Sequence, residues 1–144
     1  MNTAIQDAYD LGWKLAWVMR GMGALDAADS YEAERRPIGE HNVSRSGSPD
    51  GARQTAEALP YDLNGRIAHY WVTRNDQKVS TLDLIGVGLT VLRGPGNGEI
   101  VPPVPAGSGD QLPVVNHVVD ENTADALGIE HTGALVVRPD GRPL

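Results

Sequence analysis

The chemically most suggestive residues of this chain stand at its start. Met1, Asn2 and Thr3 open the run MNTAIQDAYDLGWKLAWVMRGMG, whose spacing predicts a long helix. The first amides of a helix have no intrahelical acceptor, and the macrodipole adds partial positive charge there. Such a start suits a negatively charged or polarised group. Other candidates carry less. The four histidines, His41, His69, His117 and His131, are scattered, with no H-x-x-x-H or H-E-x-x-H spacing. That favours surface or hydrogen-bonded structural roles over metal ligation. His69 is the strongest of them, because it follows Gly65-Arg66 at a junction. Ser44, Ser46 and Ser48 lie in a polar stretch without a G-x-S-x-G elbow. Asp7 and Asp10 read as lying on different faces of the first helix, so they form no hydrolase-type carboxylate pair. The glycines at 94–98 follow a strand but lack the Lys-Ser/Thr of a phosphate loop. The absence of cysteine excludes thiol redox chemistry, disulfides and thiolate metal sites. No residue is assigned as a catalytic group or as a metal ligand.

Two helices must position that start. In the first, Ile5, Ala8, Gly12, Leu15, Met19 and Met22 follow a 3-4-3-4-3 spacing that paints one apolar stripe. Thr3 is the expected cap, with Gln6 in the capping-box position. Asp10 and Lys14 form an i,i+4 pair in the favourable order, and Gly21 or Gly23 can take the left-handed stop. Trp13, Trp17 and Val18 are expected to lack their usual cover, so the chain should self-associate or aggregate. The second helix is expected from near Asp26, with Asp29 or Ser30 as alternative caps, through SYEAERRPIGEHNV. Pro37 is expected to kink or end it. ERRP reads as a solvated face laced with charge pairs. A short Gly-rich connection makes the two helices antiparallel neighbours. SRSGSPD at 44–50 is a polar break, a short helix is expected over Ala52 to Ala58, and residues 44–60 are the linker candidate.

Residues 1–39 resemble the flavin-dependent aromatic hydroxylases of the para-hydroxybenzoate hydroxylase class. In that family a G-D motif leads into a glycine and then M-N-T-x-I-Q-D-A-x-x-L-x-W-K-L-A. The match here runs from Met1 to Ala16, and SYEAERRP is similar to the family's next signature. The resemblance implies that the amides at the helix start approach the flavin ring of FAD and favour the negative charge of its reduced form. Met1, Asn2 and Thr3 are the positions onto which that contact carries over. The dinucleotide-binding G-x-G-x-x-G of the family has no counterpart in this sequence.

From Tyr61 the character changes. YDLNGRIAHYWVTRNDQKVSTLDLIG resembles the stretch of bacterial polyketide-tailoring hydroxylases that leads into their C-terminal domain. Asn64-Gly65 and Asn75-Asp76 read as turns around a β-rich His69 to Thr73. Ser80 or Thr81 can cap a helical turn through Leu82 to Ile85. Leu89 to Leu92 and Pro113 to Val119 read as buried strands on either side of the Gly/Pro-rich loop Gly94 to Gly109. A short helix over Thr123 to Leu127, capped by Asn122 or Thr123, precedes a third strand, Gly133 to Arg138, and the turn Pro139-Asp140-Gly141. This order resembles the thioredoxin-like C-terminal domain of those hydroxylases, with the last strand lost or rudimentary. The fold class is therefore expected to be α/β, in α+β form. A helical hairpin over 1–59, equivalent to the end of an FAD-binding domain, precedes a small, incomplete thioredoxin-like α/β domain over 60–144.

Composition sets the remaining bounds. The 144 residues suit one domain or two small ones, and 40% hydrophobic content suffices for a core. A net charge of −7, with no basic run, argues against a nucleic-acid partner. No segment is apolar and long enough to span a bilayer and none reads as a signal sequence, so a cytoplasmic protein is expected. The resemblance implies the C-terminal part of a monooxygenase that uses FAD, NAD(P)H and O2 to hydroxylate an aromatic or polyketide substrate. Its partners would be that aromatic small molecule and a homodimer mate or the missing N-terminal half. The chain alone is expected neither to be active nor to hold FAD tightly. The competing reading is a stand-alone, non-catalytic interaction or dimerisation module.

Overall fold

The computed structural model describes residues 3–22, 26–51, 65–74, 76–96 and 112–144. Met1 and Asn2, the expected helix over Ala52 to Ala58 and most of the loop Gly94 to Gly109 lie outside them. The described residues form two compact units, one from Thr3 to Gly51 and one from Arg66 onward. The architecture is α+β, as expected.

The first unit is a helical hairpin. Helix α1 spans Thr3–Met19 and helix α2 spans Asp26–Ser46. α1 stops at Gly21, whose φ of 65° only glycine adopts cheaply. The Gly21 amide donates to Val18 O at 3.1 Å and the Met22 amide to Trp17 O at 2.9 Å, the paired bonds of a Schellman stop. Thr3 is the first helical residue rather than the cap. Pro37 does not end α2, which continues nine residues beyond it. Pro37 lies on the exposed side of the helix, where water can satisfy the carbonyl it leaves without a donor.

The apolar stripe of α1 does not face α2. Ile5 is 70% exposed and Met19 86%, and Leu15 is also exposed. The side packed inward instead carries Asp10, Lys14 and Trp17. Trp17 is 4% exposed, so the expectation that it lacks cover fails. It stacks edge-on against Trp13, with ring centroids 5.0 Å apart.

The second unit opens with the hairpin β1 (Trp71–Arg74) and β2 (Gln77–Ser80), paired antiparallel, with Asp76 at φ 61° in the turn. Ser80 then caps a 3-10 turn over Thr81–Leu84 through a capping box with Asp83. Thr81 is fully buried. Its hydroxyl donates to Ala68 O at 2.9 Å and accepts from the Tyr70 amide at 3.0 Å. A three-stranded sheet follows. β3 (Leu89–Arg93) is central, parallel to β4 (Val114–Val118) and antiparallel to β5 (Ala134–Val137). Between β4 and β5 lies α3 (Glu121–Ala126), capped by Asp120 rather than by Asn122 or Thr123 as expected. The Asp120 carboxylate takes the Thr123 amide, which moves the helix start upstream.

β3 is buried as its LTVL pattern predicts, whereas β4 is half exposed. Among the described residues β4 pairs only with β3, at the edge of the sheet, and Val115 and Val118 reach solvent. Among the described residues, one isolated bridge, between Val137 and Pro143, lies outside the named strands. Ile67, Val72, Leu84, Leu92, Val119 and Val137 form the centre of the core. With a parallel pair and an antiparallel third strand, the order agrees with the expected thioredoxin-like pattern.

Candidate functional site

Two heptad stripes run along α1, on opposite faces. Ile5, Gly12, Leu15 and Met19 make the apolar one. Thr3, Asp7, Asp10, Lys14 and Trp17 make the other, and this polar stripe engages α2. The Asn42 amide donates to Thr3 Oγ1 at 3.0 Å. The Arg35 guanidinium donates to Asp7 Oδ1 at 2.6 Å, with the Arg35 side chain almost wholly buried. Lys14, with no solvent exposure, donates to Glu34 Oε2 and to Ser30 Oγ, each at 3.0 Å, and pairs with Asp10 Oδ2 at 3.2 Å. The Trp13 and Tyr31 rings lie 5.7 and 5.9 Å from its ammonium, within cation–π range. The contacts between the two helices join residues 16 to 39 positions apart and set one register for the hairpin.

The expected Asp10–Lys14 pair is therefore present and buried. ERRP is solvated only in part. Arg36 pairs with Glu32 on the exposed face, while Glu34 and Arg35 turn inward. Asp7 and Asp10 also share a face, contrary to the sequence reading, because three residues on a helix turn through only about 60°. Each is matched by a cation, so they still make no acid–base pair.

This hairpin presents the start of α1. Its first turn carries no acidic side chain, so the positive end of the dipole is not neutralised from within. The first acidic residue along α1, Asp7, is held by Arg35. Ile5 stands in solvent beside the first-turn amides. A helix start without an acidic side chain suits a negatively charged or polarised group. Of the three residues singled out in the sequence, Thr3 sits at this start, tied to Asn42; Met1 and Asn2 fall outside the described residues.

The histidines take up structural contacts. His69 Nδ1 lies 2.6 Å from Ser80 Oγ and its ring meets Trp71 edge-on at 4.7 Å, which ties it to the β1–β2 hairpin. His131 pairs with Glu121 at 3.1 Å on the surface. His117 donates from Nε2 to Leu84 O at 3.2 Å. Burial, and then the nearby Arg74 charge, hold its imidazole below the ordinary 6.5, against a smaller upward push from that hydrogen bond. The Lys14 cluster and the Asn42 contact escaped sequence reasoning. The i,i+4 series Ser30, Glu34, Ile38, Asn42 on α2 was the signal that could have found them.

Residues 1–46 match the FAD binding domain family. Over 97% of its length the chain is similar to a tetracenomycin A2 monooxygenase-dioxygenase of Streptomyces glaucescens, 32% identical and covering 33% of that protein. The alignment has 187 positions against a chain of 144 residues, so the relative carries insertions within the matched span. A 6-methylpretetramide 4-monooxygenase of Streptomyces rimosus is 56% identical over 39 residues, which are 27% of this chain and 7% of that protein. In fold, the chain resembles an aklavinone-11 hydroxylase solved with FAD and aklavinone. The TM-score is 0.75 at 23% identity, covering 99% of this chain and 35% of that one. The chain spans about a third of the length of the curated relatives it matches.

Proposed function

We propose that this chain, related along its length to the flavin-dependent aromatic monooxygenases, supplies the flavin-facing helix start and the C-terminal domain of such an enzyme. The observation that carries the reading is an acid-free α1 start held in one register by buried polar contacts from α2. Thr3, with Met1 and Asn2 before it, would hold FAD at its ring through backbone amides. FAD, reduced by NAD(P)H, would supply the oxygen-activating chemistry for hydroxylation of an aromatic or polyketide ring. The work of this chain is electrostatic and positional. First-turn amides favour negative charge on the ring edge. Asn42 and Arg35 keep those amides aimed, and the Lys14 cluster fixes the helices against sliding. No side chain of this unit is assigned a proton-transfer role.

The exposed apolar face of α1, with Ile5, Tyr9, Leu15 and Met19, supports packing against a flavin-bearing remainder rather than against a second copy of this chain. NAD(P)H as reductant supports action in the cytoplasm, and among the described residues no helix is long and apolar enough to cross a membrane.

The sequence holds no G-x-G-x-x-G to grip the adenine, ribose and pyrophosphate. The test is therefore a two-part titration followed by flavin fluorescence. The chain alone should show no saturable FAD binding at micromolar concentration. Mixed with the part of the tetracenomycin A2 relative that precedes the matched span, it should restore bound flavin and NAD(P)H consumption. Saturable micromolar binding by the chain alone, or no restoration by the mixture, would refute the proposal.

A further inference from the structure

In the second unit, β1, the 3-10 turn and β4 line an open cavity of about 240 Å3 that plays no part in the flavin reading. Its lining includes Thr73 and Arg74 from β1, Leu84 from the 3-10 turn, and Asn116 and His117 from β4. Asp120 also reaches the wall. Its carboxylate is already engaged. Oδ1 accepts from the Thr123 amide at 2.9 Å, and both oxygens take the Thr123 hydroxyl, at 3.1 and 3.0 Å. Arg74, by contrast, has no carboxylate partner among the described residues.

We propose that this cavity is a binding site for a small oxyanion, with the Arg74 guanidinium as its charge partner and Thr73 and Asn116 as further hydrogen-bond donors. The planar guanidinium fork matches two oxygens of a carboxylate, sulfate or phosphate group. The volume admits such a group with a short body attached and falls below the range of drug-sized ligand pockets. Both Asp120 oxygens are held by Thr123, so this carboxylate keeps its charge but forms no ion pair with Arg74 among the described residues.

His117 completes the site. A carbonyl can only accept, so the ring donates from Nε2 to Leu84 O and carries its lone pair on Nδ1. The charged groups that share its cavity are Arg74 from β1 and Asp120 from the turn into α3. An anion beside Arg74 offsets the repulsion that this guanidinium exerts on a protonated ring. Oxyanion binding and protonation of His117 therefore reinforce one another, and each must strengthen the other by the same factor.

The test is an NMR titration of the full chain with sulfate, which does not itself titrate between pH 5 and 8, at ionic strength held constant with chloride. Saturable shifts should concentrate at residues 72–74 and 116–120, with millimolar affinity. Binding should tighten as the pH falls through the His117 midpoint, by at most about tenfold for each unit by which sulfate raises that midpoint. Arg74→Gln should abolish saturable binding and, without any anion, raise the His117 midpoint. Acetate at pH 7 separates the classes. Binding of acetate with comparable affinity assigns the site to carboxylates as well, whereas sulfate alone assigns it to tetrahedral anions. No saturable shift at either group of residues, or an unchanged response in Arg74→Gln, would overturn the proposal.

Discussion

Replacing Lys14 by Met keeps the length of the side chain and removes its charge. Lys14 is fully buried, Asp10 is 1% exposed and Glu34 16% at the side chain. At separations of 3.2 and 3.0 Å each pair is worth about 5 kcal/mol of Coulomb attraction at an effective dielectric constant of about 20. Much of that only offsets the desolvation of three ions, so the intact cluster contributes little net stability. Removing the cation alone is different. Two largely buried carboxylates lose this cation, and the expected loss is about 3–5 kcal/mol. A domain with a total stability of roughly 5–15 kcal/mol feels that as near-unfolding of the hairpin. Urea denaturation followed by tryptophan fluorescence reads it, because Trp13 and Trp17 both belong to α1. The triple change Asp10→Asn, Lys14→Met, Glu34→Gln removes every charge and should recover at least half of the loss. A Lys14→Met chain within about 1 kcal/mol of the natural one would refute the reasoning, since an exposed ion pair is worth that little.

Asn42→Ala should release the first turn of α1 at a cost of about 1 kcal/mol, seen as faster amide exchange confined to that turn. Thr81→Val should destabilise the second unit by about 2–4 kcal/mol in a thermal melt, because the Ala68 carbonyl and the Tyr70 amide both lose a buried partner. Gly88→Ala should also lower the melting temperature of that unit, by several degrees, since a Cβ there would stand 2.0 Å from Pro113 O. The second unit should in addition be acid-sensitive through His117. Its folded value lies below 6.5, so beneath that pH the unfolded chain binds the proton more readily than the folded one. The His117 contribution is whole above 6.5, falls as the pH drops from 6.5 toward the folded value, and changes no further below it. Urea midpoints measured from pH 8 to 5 should show that fall, and His117→Gln should flatten it.

The hairpin, the Schellman stop at Gly21, the Ser80 cap, the buried β3 and the Asp10–Lys14 pair were legible because each rests on local spacing. The inward face of α1 was not. Two stripes share one heptad period, and hydrophobicity alone favours Ile5, Leu15 and Met19 over Asp7, Asp10 and Lys14. Only the partners on α2, at least 16 residues away, reverse that choice. β4 was misjudged for a related reason. PVVNHVV gives its composition but not its place at the sheet edge, which the order of strands decides. The oxyanion cavity joins residues from β1 and β4 more than 40 positions apart, and no spacing in the chain announces it.

The central claim is that the amide start of α1 favours a negatively charged flavin edge. Riboflavin, which has no phosphate to enter the Arg74 cavity, tests it in an anaerobic NMR titration of the isolated chain. Reduced riboflavin should move the amides of Thr3 to Gln6 more than any others, weakly, and more than oxidised riboflavin does. Equal shifts from both redox forms, or shifts centred anywhere but the first turn of α1, would contradict it.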